Sequence, residues 1–460
     1  NFKISVKEEI DGDFDFTRNS SATRVNSQGL IEDMQILSSN LVSNGDFSNG
    51  ANNWTLGTGW SIGDDIASAS GSANSNISQN SFLTIGSKYK VTYTVLNAST
   101  GARVGLAPNG STVQNIRTEN GTYTEVYQAV NTSFYIRSLW NDGVGLSVSN
   151  VSVIEITDDT DLPRIDYTGG EGHWLFEPES RNLVTHSEVY GSGTYFSSFQ
   201  GSTFDNTTSL SPSGENNATQ LTSTGVGKLQ TAGISLSQNT DYTLSFYAKN
   251  VDATAVTSRV LGLGGSGGSN LTSISYFSEL STTEWKRITH SFNTGTNTTF
   301  YLYLSNALNS GGTIQLWGAQ LEQQSYATSY IPTNGEVNGV TRLQDAAFGA
   351  GSSDLINSTE GVLYAEIAAL ADDLTNRVIS LIDETTNKRV ILSYHNSTNK
   401  IRCFIESGGS FYATLDKVVS SEKDFHKIAY KYKSGETKLF VDGLLVGTSA
   451  ASFSITGLDV

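Results

Sequence analysis

The acidic and aromatic side chains are the residues of this chain whose types and spacing could do chemistry. Glu9-Ile10-Asp11-Gly12-Asp13 sets three carboxylates at two-residue intervals. Retaining glycoside hydrolysis needs two carboxyl groups about 5–5.5 Å apart, a separation that positions i and i+4 of a regular strand do not give. Solvated loop acids are the ordinary reading of that run, and no catalytic residue is assigned. Asp11, Asp13 and Asp15, and separately Asp158, Asp159 and Asp161, could offer oxygen ligands to a structural Ca²⁺, which takes roughly 6–8 of them. The competing reading of both runs is a plain solvated loop. His173, His186, His290, His395 and His426 are scattered without metal-like spacing. There is no Gly-x-Ser-x-Gly elbow and no phosphate loop. Gly262-Leu263-Gly264-Gly265-Ser266-Gly267-Gly268 has no helix after it and reads as a flexible loop between strands.

The aromatics are the better candidates. A flat ring stacks on the C–H face of a sugar while neighbouring Asn, Asp or Gln side chains take its hydroxyls. Trp54, Trp60, Tyr123 and Trp140, and later Tyr195 and Trp285, fall near turn-rich segments and form the candidate ligand set. The bland alternative is core packing, which Trp317, alternating within a strand pattern, fits better.

Those side chains need elements to hold them, and the elements come twice. Asn40-Leu41-Val42, Tyr89-Lys90-Val91-Thr92-Tyr93 and Phe134-Tyr135-Ile136 return as Asn182-Leu183-Val184, Tyr242-Thr243-Leu244-Ser245-Phe246 and Phe300-Tyr301-Leu302, at offsets of 142, 153 and 166 residues. A period so long is two whole domains in tandem, because solenoid units run only about 20–50 residues. Apolar residues alternate with Ser, Thr and Lys at Tyr89/Val91/Tyr93/Val95, at Tyr123/Val126 and at Phe134/Ile136, the mark of sheets with one buried face.

Composition agrees. In 460 residues, 45 glycines and few charged residues (16%) accompany 20 Tyr and 20 Phe, as in an all-β chain with many turns. The net charge of −17 excludes a basic nucleic-acid footprint. One cysteine, Cys403, excludes an internal disulfide framework and reads as a small buried residue. No apolar run reaches the roughly 18–20 residues that cross a bilayer as a helix, so no membrane insertion is expected. The chain opens on Asn1 and closes on a strand-like Ser452-Phe453-Ser454-Ile455, which reads as part of a longer polypeptide.

The expected organisation is an irregular attachment segment at 1–34, a first sandwich at 35–157, a connector at 158–180, a second sandwich at 181–326, a connector at 327–360, and a third, incomplete sandwich at 361–460. Strand patterns in the last fall at 361–367, 377–383, 388–394, 400–406, 410–414, 425–432 and 437–443, with Asp442-Gly443 as a tight turn.

The segments between the sandwiches carry a resemblance. Phe16-Thr17-Arg18-Asn19-Ser20-Ser21-Ala22-Thr23-Arg24-Val25, Pro163-Arg164-Ile165-Asp166-Tyr167, Leu175-Phe176-Glu177-Pro178-Glu179-Ser180-Arg181-Asn182-Leu183, Trp317-Gly318-Ala319-Gln320-Leu321-Glu322 and Ala327-Thr328-Ser329-Tyr330-Ile331-Pro332-Thr333 look like parts of a cassette found in bacteriophage tail-fibre and virion structural proteins. The first sandwich then stands as an insertion into, or a duplication within, that cassette. The two repeats resemble jelly-roll carbohydrate-binding modules, and the third unit resembles concanavalin/laminin-G-like lectin sandwiches. The resemblance implies a non-enzymatic virion appendage, a tail or head fibre at the particle surface. Its partners would be other virion proteins and host-surface glycans, and its assembly a homo-trimer whose multivalency offsets weak single contacts. A polysaccharide depolymerase with accessory binding modules, or a bacterial cell-surface adhesin, is the alternative.

Overall fold

The computed structural model describes residues 14–140, 143–188, 190, 196–198, 202–223, 227–251, 261–265, 270–274, 276–308, 312–383, 385 and 387–458. They form an all-β chain in which every strand pairing is antiparallel and the one helical element is a 3₁₀ turn at Phe277–Glu279. The chain divides into two compact units. One is Arg18–Gln323 with Ala327–Gln344; the other runs from Asp345 onward, together with Gln324–Tyr326 and the strand ending at Thr17.

The first repeat is a sandwich of a four-stranded and a six-stranded sheet. Strand Lys88–Leu96 lies between strands Gly121–Gln128 and Leu146–Asp158. Its alternation works as expected, with Tyr89, Val91, Tyr93 and Val95 fully buried and Lys and Thr outward. The neighbouring strand corrects the phase expected there: Tyr123, Glu125 and Tyr127 point inward and Val126 is exposed. A carboxylate occupies a core position because Tyr93 Oη (2.7 Å), Asn115 Nδ2 (3.0 Å) and Arg117 Nε (3.2 Å) all donate to it. The second repeat likewise has two sheets, one built around strands Asp241–Asn250 and Thr313–Glu322, the other around strand Thr299–Leu308. Here the glycine-rich stretch departs from expectation. Leu261–Gly265 is a strand paired on both sides, with Asn270–Ile274 and with Thr299–Leu308.

The repeated sequence anchors perform the same tasks in both copies. Asn40 Oδ1 accepts from Val42 N (3.1 Å) and from Val153 N in the last strand (2.9 Å). Asn182 Oδ1 accepts from Val184 N (3.0 Å) and Leu321 N (3.1 Å). Tyr89 Oη and Tyr242 Oη each accept from the amide five residues earlier, Thr84 and Ser237. Each last strand is kinked by a left-handed residue, Asn150 (φ 50°) or Gly318 (φ 67°), and the next amide turns to the opening loop, Val151 N to Gly45 O and Ala319 N to Ser187 O. Strict equivalence of hydrogen bonds at drifting offsets makes the two sandwiches copies of one architecture.

The segments expected as irregular or connecting are ordered. Within the described part of 1–34, strands Thr23–Val25 and Ile31–Asp33 form a hairpin, and Ile31 packs with Ala218, Trp317 and Tyr330. Strand Arg164–Asp166 pairs with His173–Leu175, and Ser180–Asn182 with Val340–Arg342. Among them lies a buried charge cluster. Glu177 Oε2 meets Arg164 Nη1 at 2.9 Å and Arg342 Nη1 at 2.6 Å, and the carboxylate accepts from Ser329 N (2.7 Å) and Ser329 Oγ (2.6 Å). Arg164 also donates to Thr23 O, and Arg342 to Pro178 O. Glu322 takes Ser180 Oγ at 2.6 Å and Thr328 Oγ1. The cassette motifs, far apart in sequence, are thus the parts of one polar clasp.

Beside the clasp, half-buried Glu188 accepts from Tyr330 Oη (3.2 Å) and Asn217 Nδ2 (3.1 Å). Burial, then the charges of Asp33 and Glu215, push its carboxyl up to about 7 despite those hydrogen bonds. Asn217 Oδ1 is buried with no donor. A carboxyl whose pKa is raised on folding favours the native state below its ordinary pKa, and that contribution fades as pH rises through about 7. Glu188→Gln, with the Asn217 amide turned so that its oxygen receives the new NH₂, is therefore expected to stabilise the protein by about 1–2 kcal/mol at pH 8 and to change little at pH 5. Thermal melts at both pH values check this; a variant weaker than wild type at pH 8 would refute it.

The third unit is a sandwich of two four-stranded sheets. One has the order Glu360–Ile367, His426–Lys433, Thr437–Val441, Leu444–Ser449; the other is Arg377–Ile382, Lys388–Tyr394, Lys400–Ser407, Ser410–Val418. Asp442 (φ 51°) and Gly443 (φ 81°) make the two-residue hairpin turn. Cys403 is fully buried in its core, and burial pushes its thiol up to about 12.

Candidate functional site

The structure separates the candidate aromatics. Trp54 (6% exposed) and Trp60 (7%) belong to the first core, where their indole N–H groups donate to Asn44 O (2.8 Å) and Ser75 O (3.1 Å). Trp54 packs on Phe47 and Phe134. Tyr123 is buried too, its ring under Arg117 at 4.7 Å and its hydroxyl on Glu119 O. All three, expected beside loops, are instead packed inside the sandwich: a tryptophan beside a turn is often the residue that plugs the sandwich end. Trp285 is half-buried, with Lys249 Nζ at 5.4 Å from its ring centroid. Trp140 is 56% exposed, its backbone N–H held by Asn74 Oδ1 at 2.8 Å. Tyr195 lies outside the described residues.

The second acidic run serves its own loop and neighbouring strands. Asp158 caps its own turn through Thr160, Asp159 pairs with Lys88, and Asp161 accepts from Arg18 N (2.6 Å) and Asn19 N (2.7 Å). Those two amides, foremost, hold the half-buried Asp161 carboxyl below its ordinary pKa. Asp15 lies beside Gly349, while Asp11 and Asp13, with Glu9, are outside the described residues. Among the described residues, no group of three or more His, Cys, Asp or Glu side chains is placed to hold a metal ion.

What the sequence reading missed is a sheet face that both repeats share. In the first repeat, strand Phe134–Ser138 runs between Val104–Leu106 and Ser75–Gln79. Phe134 and Ile136 point into the core, so Tyr135 and Arg137 point out, with Ser78 and Asn76 opposite them on one side and Gly105 opposite Arg137 on the other. In the second repeat, Phe300 is buried and Tyr301 follows it. Tyr301 and Tyr303 are in register with Gly264 and Gly262, and Tyr303 is also in register with Gln230. Each copy therefore has a tyrosine directly after the buried phenylalanine of this strand, and a glycine-bearing strand beside it: Gly105 opposite Arg137 in the first, Gly264 opposite Tyr301 in the second. The signal was present in the aligned repeats: Phe-Tyr-Ile-Arg and Phe-Tyr-Leu-Tyr, each near a glycine-bearing apolar strand.

Residues 182–310, within the second sandwich, match the family model described as a carbohydrate binding domain. No curated protein matches the chain in sequence. Among solved structures, the carbohydrate binding module of Cellvibrio mixtus lichenase 5A in complex with cellotriose is 14% identical, covering 32% of this chain and 96% of its own, with a TM-score of 0.22. The N-terminal tandem of two modules from Paenibacillus barcinonensis Xyn10C is 11% identical over 63% of this chain and 99% of its own, with a TM-score of 0.23. The tandem modules of a family 98 glycoside hydrolase from Streptococcus pneumoniae are 12% identical over 57% and 84%, with a TM-score of 0.17. Carbohydrate binding is the function class that the match on the second sandwich supports.

Proposed function

We propose that this chain is a non-enzymatic glycan-binding protein whose second sandwich holds the sugar, displayed on a bacteriophage appendage toward the host surface. The carrying observation is the coincidence of the carbohydrate-binding-domain match at 182–310 with the strand register that sets Tyr301 and Tyr303 against Gly264 and Gly262. Tyr301 follows the buried Phe300 and so faces outward, and glycine opposite it leaves depth for a pyranose ring. The appendage setting is supported by the cassette motifs that make the clasp. Other virion proteins, a homo-oligomer and a particle-surface location belong to this same reading, as does any bound Ca²⁺.

Native gels cast with xylan, mixed-linkage β-glucan, polygalacturonate or bacterial capsular polysaccharide test the reading. The chain is expected to be retarded by at least one polymer without releasing reducing ends. Tyr301→Ala with Tyr303→Ala should weaken retention at least about tenfold. Release of reducing ends would favour a depolymerase. Retention abolished by Trp140→Ala, and not by the tyrosine changes, would move the contact to the first sandwich.

A further inference from the structure

The first repeat carries the same face, and its own chain sits on it. After strand Val104–Leu106, residues 107–117 double back instead of leaving the sheet. Ala107 N donates to Tyr135 O, Gln114 N to Leu106 O (2.9 Å) and Arg117 N to Val104 O (2.7 Å). Between those ties the loop crosses the outward side chains. Gly110 O accepts from Asn76 Nδ2 at 2.8 Å and from Arg137 Nη1 at 3.0 Å, and Arg137 Nη1 also donates to Asn76 Oδ1 at 2.9 Å. Gly110 rests on Tyr135: a Cβ there would lie 3.4 Å from the ring. Gly105, which faces outward from its strand, is buried because Asn115 O stands 2.0 Å from where its Cβ would be. Asn115 and Arg117 anchor the far end of the loop on the inward Glu125.

These contacts are the ones a sugar would make. A backbone unit lies on the tyrosine ring where a pyranose would stack, and one carbonyl oxygen takes the Arg137 and Asn76 donors where a ring hydroxyl or carboxylate oxygen would sit. The imitation is incomplete, since Arg137 Nε is buried with no acceptor. A buried guanidinium donor without a partner costs free energy, and a ligand oxygen at that place would recover it.

We infer that the first sandwich holds a second pyranose-binding face on Tyr135, Arg137 and Asn76, closed by residues 107–117 acting as an internal substitute for the sugar. The inference rests on the glycan-binding reading of the second sandwich. Closure divides the apparent affinity of the first face by its small open fraction, so the unmodified chain binds through one copy only.

The test uses the full chain carrying Tyr301→Ala and Tyr303→Ala, in the same polysaccharide gels. With 108–113 replaced by two glycines, retention is expected to return, at least about tenfold above the parent with the loop intact, and to vanish again on adding Tyr135→Ala. Asn115→Ala, which loosens the loop without shortening it, should act in the same direction and serves if the shortened chain does not melt cooperatively. No Tyr135-dependent retention in any folded variant overturns the inference. So does Tyr135-dependent retention with the loop intact, because the face would then be open already. Retention of the loop-shortened chain on a polymer that never retards the unmodified chain would support the closed face while refuting the reading of the second sandwich.

Discussion

Glu177→Ala is expected to cost roughly 3–5 kcal/mol, the effect of removing a buried carboxylate that two buried guanidiniums share. Arg164 and Arg342 are each 1% exposed and both rest on one oxygen of Glu177. With the carboxylate gone, neither cation can reach water without breaking the strands Arg164–Asp166 and Val340–Arg342 that carry them. Glu177→Gln should fall in the same range, since it keeps the shape and removes the charge. Calorimetric melts and urea titrations read the loss; a midpoint within a degree or so of wild type would dispose of the clasp as a stabilising element.

The same residue sets a pH dependence. Burial disfavours the Glu177 carboxylate, but Arg342, Arg164 and the Ser329 donors outweigh it and hold the pKa down to about 2. A pKa depressed on folding stabilises the native state above the ordinary value of 4.5, and that contribution is lost as pH falls toward about 2. It amounts to roughly 3 kcal/mol by linkage, and in Glu177→Gln this part of the acid transition should be missing.

The second large effect falls on the opening asparagine of the second repeat. Asn182 is fully buried and makes four hydrogen bonds: it accepts from Val184 N and Leu321 N and donates to Ala319 O (3.1 Å) and Ile331 O (2.9 Å). Asn182→Ala leaves those groups unpaired in a dry site, at an expected roughly 3–4 kcal/mol. Its twin Asn40 is exposed and uses only its oxygen, so Asn40→Ala should cost about 1 kcal/mol. Urea midpoints of the two variants, at unchanged slope, give the comparison. Equal costs would mean that the clasp around Asn182 adds nothing to the device the repeats share.

How much of this was legible beforehand depended on the range of the interactions. Alternation is a local property, and where every inward residue is apolar it placed strands well, as at Lys88–Leu96 and Lys400–Ser407. It failed at Gly121–Gln128, where Glu125 takes an inward position that Tyr93 on the neighbouring strand, with Asn115 and Arg117, makes tolerable. It failed again at Leu261–Gly265, whose glycines look like a loop until two neighbouring strands supply the pairing. Trp54 and Trp60 stand among turn residues and yet fill the core, since nearness to a loop in sequence says nothing about which way a ring turns.

The amino-acid order alone determined the all-β class, the doubling of one sandwich and the third hairpin-rich unit, because these follow from periods of two residues and from repeated anchors. Folding in three dimensions decided what the motifs between the sandwiches are for. Arg164, Glu177, Ser329 and Arg342 are up to 178 positions apart along the chain and meet within hydrogen-bonding distance. It also decided that the outward Tyr135 lies beneath its own loop. Both outcomes depend on long-range burial and donor–acceptor geometry, which no window along the sequence contains.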